Sequence, residues 1–417
     1  MIIYVPQITN RILFTIDVIL GRLLNIHYDF TTDIEYFKSV TTEKLAYSPE
    51  PITQDQAIWI QSYPLLFESS YQQYKISSTL WNEIQLFFPT SRGAFPIDIF
   101  AVSFFLISRY EEYNPNLKRD IHQRILIEET VAYQLGFHRK PVVNMIAMEL
   151  ASVIKEHYPH FTYQKPPFSP ITTYDVDIAY QYKGKSGYRF IGSTLKSIFQ
   201  FDFNKVFKNI QALLDLKHSD SYDRFHLHEQ KAIQEQRVPI HFILTAPFSK
   251  FNKNIDPKSK AFKQLIAYLQ TFSEIGLHPS YHSSEKTTLI PKEKRQLEMI
   301  GKKSVKKSRQ HFLKFQFPST FEALIDAGIE EDYSLGWYNE VGFRLSITIP
   351  VPFFNIKTNE VRPLTLYPLI VMDGALYQCC ESIAMCQQTI QDLENEVQNF
   401  GGTFVVLYHN NTDKQLF

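Results

Sequence analysis

The sequence predicts an α/β fold in which a parallel sheet or barrel follows a smaller N-terminal α/β region. Beyond Pro170, short runs of β-branched or aromatic residues alternate with amphipathic helical patterns, and this alternation is typical of βα units. A proline-rich stretch at residues 157–170 separates the two regions. A chain of 417 residues is also too long for one ordinary core. We therefore expect one domain at residues 1–160 and a second at residues 168–417.

Individual elements can be predicted from the spacing of the apolar residues. In the N-terminal region we expect a strand at residues 1–5, a helix at residues 12–24 and a buried segment at residues 99–110. In the second region, residues 171–174, 240–244 and 404–407 have the length and composition of strands. The clearest helix covers residues 383–400, where Ser382 can cap the start and Gly401 the end. Side chains that follow such strands are expected at the end of the sheet where catalysis takes place.

The composition excludes several classes of protein. Hydrophobic residues make up 44% of the chain and charged residues 21%, as in globular proteins, and the formal net charge of zero argues against a nucleic-acid partner. Three cysteines, Cys379, Cys380 and Cys386, form no metal-binding or paired spacing, which favours a reducing compartment. The N-terminus does not resemble a signal peptide, and the longest apolar run is about half of what a membrane span requires. We expect a cytoplasmic protein without a membrane span.

An acidic pair follows the first strand of the second region, in the order Tyr174-Asp175-Val176-Asp177. Residues two apart in a strand point the same way, so Asp175 and Asp177 are expected to share one side. Two carboxylates this close repel each other unless a cation or a proton lies between them. One of them can bind a metal while the other accepts a proton from a metal-bound water. The alternative is a solvated Asp-x-Asp in a loop.

A pair of histidines, His278 and His282, has the spacing of metal ligands on one face of a helix. Pro279 suits the first position of such a helix. With Asp177 the pair completes a set of two histidines and one carboxylate that leaves coordination positions open. A chance pair among the 13 histidines is the alternative.

Arg309 and His409 are the remaining candidates. Arg309 precedes a predicted strand at residues 310–313 and either forms an ion pair that orients Asp175 or is a solvated residue after a lysine-rich stretch. His409 follows the last predicted strand and is either a general acid or a histidine at the rim of the sheet. Asp373 either orients His409 or is a turn residue, and its position beside Gly374 slightly favours the turn.

In this order, the motifs Asp175-Val176-Asp177, His278-x-x-x-His282, Arg309 and Leu407-Tyr408-His409 resemble the polysaccharide deacetylase (NodB-homology, carbohydrate esterase) family. The whole chain resembles a bacterial subgroup of that family with an extra N-terminal domain of unknown function, to which residues 100–105 and 108–113 are similar. The resemblance implies a distorted (β/α) barrel. About a hundred residues separate the first two motifs, so we expect a helical insertion at about residues 182–234.

The resemblance also implies a role for each motif. Asp175 would be the catalytic base, Arg309 would orient it, and His409 would be the general acid. The metal ligands would be Asp177, His278 and His282. Three further residues would contact or shape the substrate site: Asp332 in the fourth motif, Leu407 beside the acetyl methyl group, and Tyr281 against a sugar ring.

We therefore expect a metal-dependent hydrolase that removes N-acetyl groups from an amino sugar or a polysaccharide. One divalent ion is expected, with zinc favoured and cobalt, nickel or iron also suited to two histidines and a carboxylate. Two alternatives remain at this point: a non-catalytic carbohydrate-binding protein on the same fold, and a hydrolase of another amide or imide. The N-terminal domain would serve substrate presentation, dimerisation into a homodimer, or packing.

Overall fold

The computed structural model describes residues 1–52, 57–181, 183, 220 and 222–412. The chain forms two compact units. The first comprises Met1–Pro170, Leu335–Ile370 and Gln387–Phe404, and the second comprises Ile171–Ser334, Val371–Cys386 and Val405–Phe417. Most of the predicted insertion, residues 184–219, lies outside the described residues, but a helix occupies Phe225–Glu235 at its end.

The N-terminal part of the first unit contains two small sheets. Strands β1 (Ile2–Tyr4), β2 (Asp29–Thr31), β3 (Lys44–Ser48) and β4 (Ile58–Gln61) form a parallel sheet in the order β2-β1-β3-β4. Strands β5 (Ser78–Trp81) and β6 (Ile84–Phe87) form an antiparallel pair. The helices of this part are α1 (Asn10–Ile16), continued by a π-helical segment (Asp17–Leu23), α2 (Ile34–Ser39), α3 (Ile99–Ile107), α4 (Val131–Gln134) and α5 (Val142–His157). The predicted strand at the N-terminus and the helical pattern after it are confirmed.

Helix α3 is the most buried helix of this part because it is apolar on every side. All nine of its residues are buried. Asp98 caps its start by accepting hydrogen bonds from the backbone N–H groups of Phe100 and Ala101, and it also accepts one from the Tyr47 hydroxyl. The predicted buried segment is therefore confirmed, and one polar residue satisfies the end of the helix.

Seven strands close into a parallel barrel, which confirms the predicted barrel in its strands. They are β7 (Phe168–Val176), β8 (Ile240–Leu244), β9 (Glu274–His278), β10 (Lys307–Ser308), β11 (Glu331–Leu335), β13 (Glu360–Met372) and β14 (Gly402–His409). Their order is β11-β10-β9-β8-β7-β14-β13, with β13 also paired to β11, and β12 (Val351–Asn355) adds an antiparallel edge to β13.

Among the described residues, six further α-helices follow β7 along the chain. They are α6 (Phe225–Glu235), α7 (Lys260–Leu269), α8 (Ile290–Gly301), α9 (Ser319–Asp326), α10 (Asp373–Cys379) and α11 (Ile383–Phe400). Helix α11 confirms the clearest sequence pattern: the Ser382 hydroxyl accepts a hydrogen bond from the Met385 N–H, and Gly401 follows with a φ of 75°.

The register of the strands brings their carboxyl ends to one edge. Asp175 of β7 lies opposite Phe242 of β8, Leu244 of β8 lies opposite His278 of β9, and Leu277 of β9 lies opposite Ser308 of β10. The polar residues that follow these strands therefore collect at the end of the barrel where catalytic residues are found in such folds.

Two local predictions are wrong. The predicted strand at residues 310–313 is a 3₁₀ turn, His311–Leu313, because β10 ends after Ser308. The helix predicted to begin at Pro279 is a turn at residues 281–285, and the next α-helix begins only at Ile290. In that turn the Ser280 N–H bonds to the Glu293 carboxylate, and the Ser283 N–H bonds to the Ser280 carbonyl.

In the part of the chain that the structure describes, no helix has the length and apolar character that a bilayer crossing requires.

Candidate active site

Asp175, near the end of β7, is held by a fully buried arginine, Arg309. Arg309 Nη1 donates to Asp175 Oδ1 at 3.0 Å and to Thr173 Oγ1 at 2.7 Å, and Arg309 Nε donates to the Tyr333 carbonyl at 3.0 Å. The guanidinium lies 4.5 Å from the ring centre of Phe242. Asp175 is only 3% exposed. The ion pair proposed from the sequence is present, and it fixes the orientation of the carboxylate.

Asp177 lies beside two histidines. Its Oδ1 is 3.0 Å from His278 Nε2 and 3.4 Å from His311 Nε2. One potential ligand atom from each of the three residues lies within 4.8 Å of the others. Burial raises the pKa of the Asp177 carboxyl, but the His311 and His278 imidazoles outweigh it and hold the pKa well below its usual value. The carboxylate is therefore ionised and faces two imidazole nitrogens.

The backbone fixes the orientation of His278. Its Nδ1 lies 2.6 Å from the Arg309 carbonyl, so Nδ1 is the protonated nitrogen and Nε2 faces Asp177. Burial lowers the pKa of His278, but the Asp175 and Asp177 carboxylates outweigh it and raise the pKa above its usual value. Two imidazoles and a carboxylate with fixed orientation are a suitable donor set for a divalent cation.

The structure does not bring His282 to this cluster. Its side chain is 49% exposed, and its Nδ1 lies 3.5 Å from a carboxylate oxygen of Glu285. The pairing expected from the i, i+4 spacing depended on a helix after Pro279, and the chain forms a turn there. His311 lies in the cluster instead. The sequence contained it in the motif Ser308-Arg309-Gln310-His311, but no spacing rule pointed to a histidine two residues after the arginine.

His409 and Asp373 form a second pair at the end of β14. His409 Nδ1 lies 2.7 Å from Asp373 Oδ1, and the His409 N–H donates to Asp373 Oδ2 at 2.7 Å. The Thr412 hydroxyl donates to the same carboxylate. Asp373 begins helix α10, so the turn favoured from the sequence is wrong and the alternative, orientation of His409, holds.

The electrostatics of this pair keep His409 charged. Burial lowers its pKa, but Asp373 above all, followed by Asp177 and Asp175, raises the pKa to about 10. Burial raises the pKa of Asp373, but His409 outweighs it and holds that pKa below its usual value. His409 Nε2 lies 3.6 Å from Asp177 Oδ2, so this nitrogen is directed toward the cluster of Asp177, His278 and His311.

A cavity of about 550 Å³ opens beside these groups. Its walls carry the carboxylates of Asp177 and Asp373, the His409 imidazole and the Arg224 guanidinium, together with two tyrosines and an Asn-rich segment. The lining residues are Asp177, Ile178, Tyr222, Arg224, Asp373, Gly374, Tyr377, His409, Asn410, Asn411 and Thr412. A volume of this size accommodates a small-molecule ligand or one to two sugar rings.

The three residues expected to contact substrate are not among those that line this cavity. Asp332 is fully buried, accepts hydrogen bonds from Ser308 Oγ and from the Ser334 N–H, and has a pKa raised by burial. Leu407 is fully buried in β14. Tyr281 is 6% exposed, and its ring stacks on Phe251 at 4.0 Å.

Comparisons with known proteins assign only the N-terminal part to a sequence family. Residues 1–159 match a family of unknown function, DUF7033. No curated protein matches the chain. Solved structures with some similarity include two polysaccharide deacetylases. One, from Mycobacterium smegmatis, is provisionally assigned as a polysaccharide deacetylase, with 14% identity, a TM-score of 0.36, and coverage of 59% of this chain and 78% of that chain. The other is the polysaccharide deacetylase Bc1974 from Bacillus cereus, with 9% identity, a TM-score of 0.28, and coverage of 60% and 81%.

Proposed function

We propose that this protein is a metal-dependent hydrolase that removes N-acetyl groups from an amino sugar or a polysaccharide. The observation that carries the proposal is the position of two oriented titratable groups around the candidate metal ligands. Asp175 Oδ2 lies 3.7 Å from His278 Nε2, and His409 Nε2 lies 3.6 Å from Asp177 Oδ2. An acceptor and a donor of protons thus flank one cation site, as hydrolysis of an amide requires.

Asp177, His278 and a second histidine would hold the ion, which is zinc by preference and otherwise cobalt, nickel or iron. A divalent ion at this position would act as a Lewis acid toward the amide carbonyl and the attacking water.

Asp175 accepts the proton of the attacking water in this proposal. Its Oδ1 is bound by Arg309, which leaves Oδ2 directed toward His278 and the cation site. The arginine holds the carboxylate in one orientation, and the Thr173 hydroxyl and the Tyr333 carbonyl hold the arginine. A base that is fixed in this way loses little free energy to reorientation when the water attacks.

His409 donates a proton to the departing amine. Asp373 binds Nδ1, so Nε2 carries the transferable proton, and the raised pKa keeps that proton in place near neutral pH. An amine that leaves without a proton would be expelled far less readily than water, so the intermediate would return to the starting amide. The base and the acid are therefore two separate side chains, Asp175 and His409.

Acetate release from a panel of N-acetylated amino sugars and oligosaccharides tests this proposal. The metal-loaded parent is expected to release acetate, and Asp175→Asn is expected to bind the same amount of metal while losing at least about 100-fold in turnover, because a general base contributes that much. Lys231→Ala, on helix α6, is the control for a substitution outside the candidate site and is expected to retain activity.

Two other results would point elsewhere. If the parent binds metal and sugar but releases no acid, the carbohydrate-binding alternative holds. If it releases an acid other than acetate, the protein is the other alternative, a hydrolase of another amide or imide. Full turnover by Asp175→Asn would overturn the assignment of the base.

A further inference from the structure

We propose that His311, and not His282, is the second imidazole ligand of the cation, so that the metal site is Asp177, His278 and His311. This inference rests on the proposed function for the presence of a cation, and it concerns which side chain of this chain binds it. His282 then lies outside the coordination sphere, although it alone has the sequence spacing expected of a ligand.

The distances fit one ion shared by these three residues. Two ligand atoms that are each about 2.1 Å from a tetrahedral ion lie about 3.4 Å apart. The Asp177 Oδ1 separations are 3.0 Å to His278 Nε2 and 3.4 Å to His311 Nε2, and all three ligand atoms lie within 4.8 Å of one another. The side chains already have the spacing that coordination requires.

The burial of these atoms gives a second, independent argument. Asp177 Oδ1, the atom that faces both imidazoles, is buried and has no well-aligned hydrogen bond to any residue that the structure describes. Buried polar atoms are nearly always satisfied, and a carboxylate oxygen between two imidazoles is costly unless a cation is bound. The His311 side chain is only 4% exposed, which is typical of a ligand and unusual for a solvated histidine.

The backbone that presents His311 is constrained. Gln310 N–H donates to Ser334 Oγ at 2.9 Å, and the Lys314 N–H donates to the His311 carbonyl at 3.2 Å. Phe312 and Leu313 have φ values of 62° and 50°, a left-handed conformation that residues with large side chains rarely adopt. Strained backbone of this kind is concentrated at functional sites, and here it turns the chain directly after the histidine.

His282 has different surroundings. It lies in the turn at residues 281–285, where it no longer shares a helical face with His278. Its exposed imidazole lies beside Glu285, whose carboxylate also accepts a hydrogen bond from Lys314 Nζ at 2.5 Å. These contacts account for the position of His282 without a metal.

Cobalt titration of the purified full-length protein and of two matched variants tests the inference. The parent is expected to bind one equivalent of Co²⁺. His311→Ala is expected to weaken binding by at least about 100-fold, since even residues that only support a ligand change affinity by 10- to 100-fold. His282→Ala is expected to change it by less than about 3-fold. Circular dichroism and the thermal midpoint of each apo variant check that folding is unchanged.

Cysteine substitution gives a positive signal that a misfolded variant would not give. In His311→Cys the new thiolate would bind cobalt directly and add an intense sulfur-to-cobalt charge-transfer absorption that the parent, with its three native cysteines, lacks. His282→Cys is expected to show the spectrum of the parent.

The outcomes separate this inference from the proposed function. Loss of cobalt binding in His282→Ala, or a charge-transfer band in His282→Cys, overturns the inference and leaves the hydrolase standing. Cobalt binding that depends on His311, in a protein that releases no acid from any N-acetyl sugar, supports the inference and overturns the hydrolase. A parent that binds no cobalt overturns both.

Discussion

Arg309 shows at the scale of one residue how the structure holds a charge inside the barrel. The guanidinium is fully buried and bonds to Asp175, Thr173 and the Tyr333 carbonyl. A buried ion pair contributes little net stability, but removal of one partner leaves an uncompensated charge. The arginine is therefore expected to matter for stability and for the position of the base.

Replacement of Arg309 by methionine is expected to lower the free energy of unfolding by about 3 to 5 kcal/mol, because Asp175 would remain buried without its partner. Urea denaturation of the apo protein measures this change. The double variant Arg309→Met/Asp175→Asn is the control: it should be less destabilised than the sum of the two single variants. Strict additivity would contradict the ion pair.

The contact between Asp373 and His409 leads to a prediction about pH. In the proposed mechanism the protonated imidazole is the acid, so activity is expected below the pKa of His409 and should be lost as the pH rises through it. Asp373 is the largest cause of the raised pKa. In Asp373→Asn the basic limb of the kcat/KM profile should therefore move to lower pH.

The control for this substitution is Thr412→Val, which removes a hydroxyl bonded to the same carboxylate but leaves its charge in place. Its basic limb should stay close to that of the parent. An unchanged basic limb in Asp373→Asn would show that His409 is not the titrating acid.

Residues differ in how well the sequence predicts their roles. The contact of Arg309 with Asp175 was one of two alternatives that the residues left open, and the resemblance to the deacetylase family favoured it. The role of His311 was not predictable, because its position depends on two successive left-handed residues, Phe312 and Leu313, that no sequence rule would assign. Asp373 was misread because Asp-Gly is common in turns, whereas here the carboxylate begins a helix and binds His409.

At the scale of one strand, Gly276 of β9 allows the close approach of β8. A Cβ atom at this position would lie 2.4 Å from Phe242 Cδ1 and 3.3 Å from the Lys307 carbonyl. Phe242 in turn lies against the Arg309 guanidinium. The glycine thus leaves room for the ring that supports the arginine.

We expect Gly276→Ala to destabilise the protein by about 1 to 3 kcal/mol through overpacking and to lower kcat by displacing Phe242 and Arg309. Chemical denaturation and steady-state kinetics measure the two effects. Addition of Phe242→Leu should recover part of the lost stability, because the smaller side chain yields to the new methyl group. Parent-like stability and kcat in Gly276→Ala would show that the strands are not packed this closely.

Helix α6 and strand β8 share a buried pair of histidines. His228 Nδ1 lies 3.0 Å from His241 Nε2, and the Tyr174 ring stacks on His228 at 3.7 Å. Burial lowers the pKa of His228 to about 3 and lowers the pKa of His241 well below its usual value. Both imidazoles are therefore neutral in the folded protein at neutral pH.

This pair should make the protein less stable in mild acid. These two histidines bind protons near pH 6.5 in the unfolded chain but remain neutral in the folded chain. Protonation therefore leaves the free energy of unfolding at its full value above about pH 6.5 and lowers it as the pH falls toward 3. In His228→Gln the slope of unfolding free energy between pH 6 and 5 should be smaller, by up to about 1.4 kcal/mol per pH unit. His226→Gln, at an exposed position of the same helix, should keep the slope of the parent. Equal slopes in parent and His228→Gln would contradict the account.

The elements themselves were predictable where the pattern was regular. Strands β7, β8 and β14 and helix α11 have clear apolar periodicity, and all four were located from it. Strand β13 was missed, although it spans 13 residues, because Pro363 and Pro368 interrupt the pattern. Prolines are usually taken as evidence against a strand, since they cannot donate to a ladder.

For the whole molecule, the candidate site is assembled from three separate segments of the second unit. Asp175, Asp177, His278, Arg309 and His311 come from Ile171–Ser334, Asp373 comes from Val371–Cys386, and His409 comes from Val405–Phe417. Closure of a parallel barrel brings these segments together, since each contributes residues at the carboxyl end of a strand. The sequence therefore predicted the barrel and most of its polar end, while the exact partners depended on turns that only the structure shows.

The most direct test of the account is hydrolysis of an N-acetylated hexosamine oligomer by the zinc-loaded protein in ¹⁸O-labelled water, followed by mass spectrometry of both products. We predict acetate with one ¹⁸O atom and an unlabelled free amine, formed by the parent but not by the apo protein or by zinc-loaded Asp175→Asn. The absence of labelled acetate from the zinc-loaded parent, over the whole panel of N-acetyl sugars, would contradict the assignment of this site as a metal-dependent deacetylase.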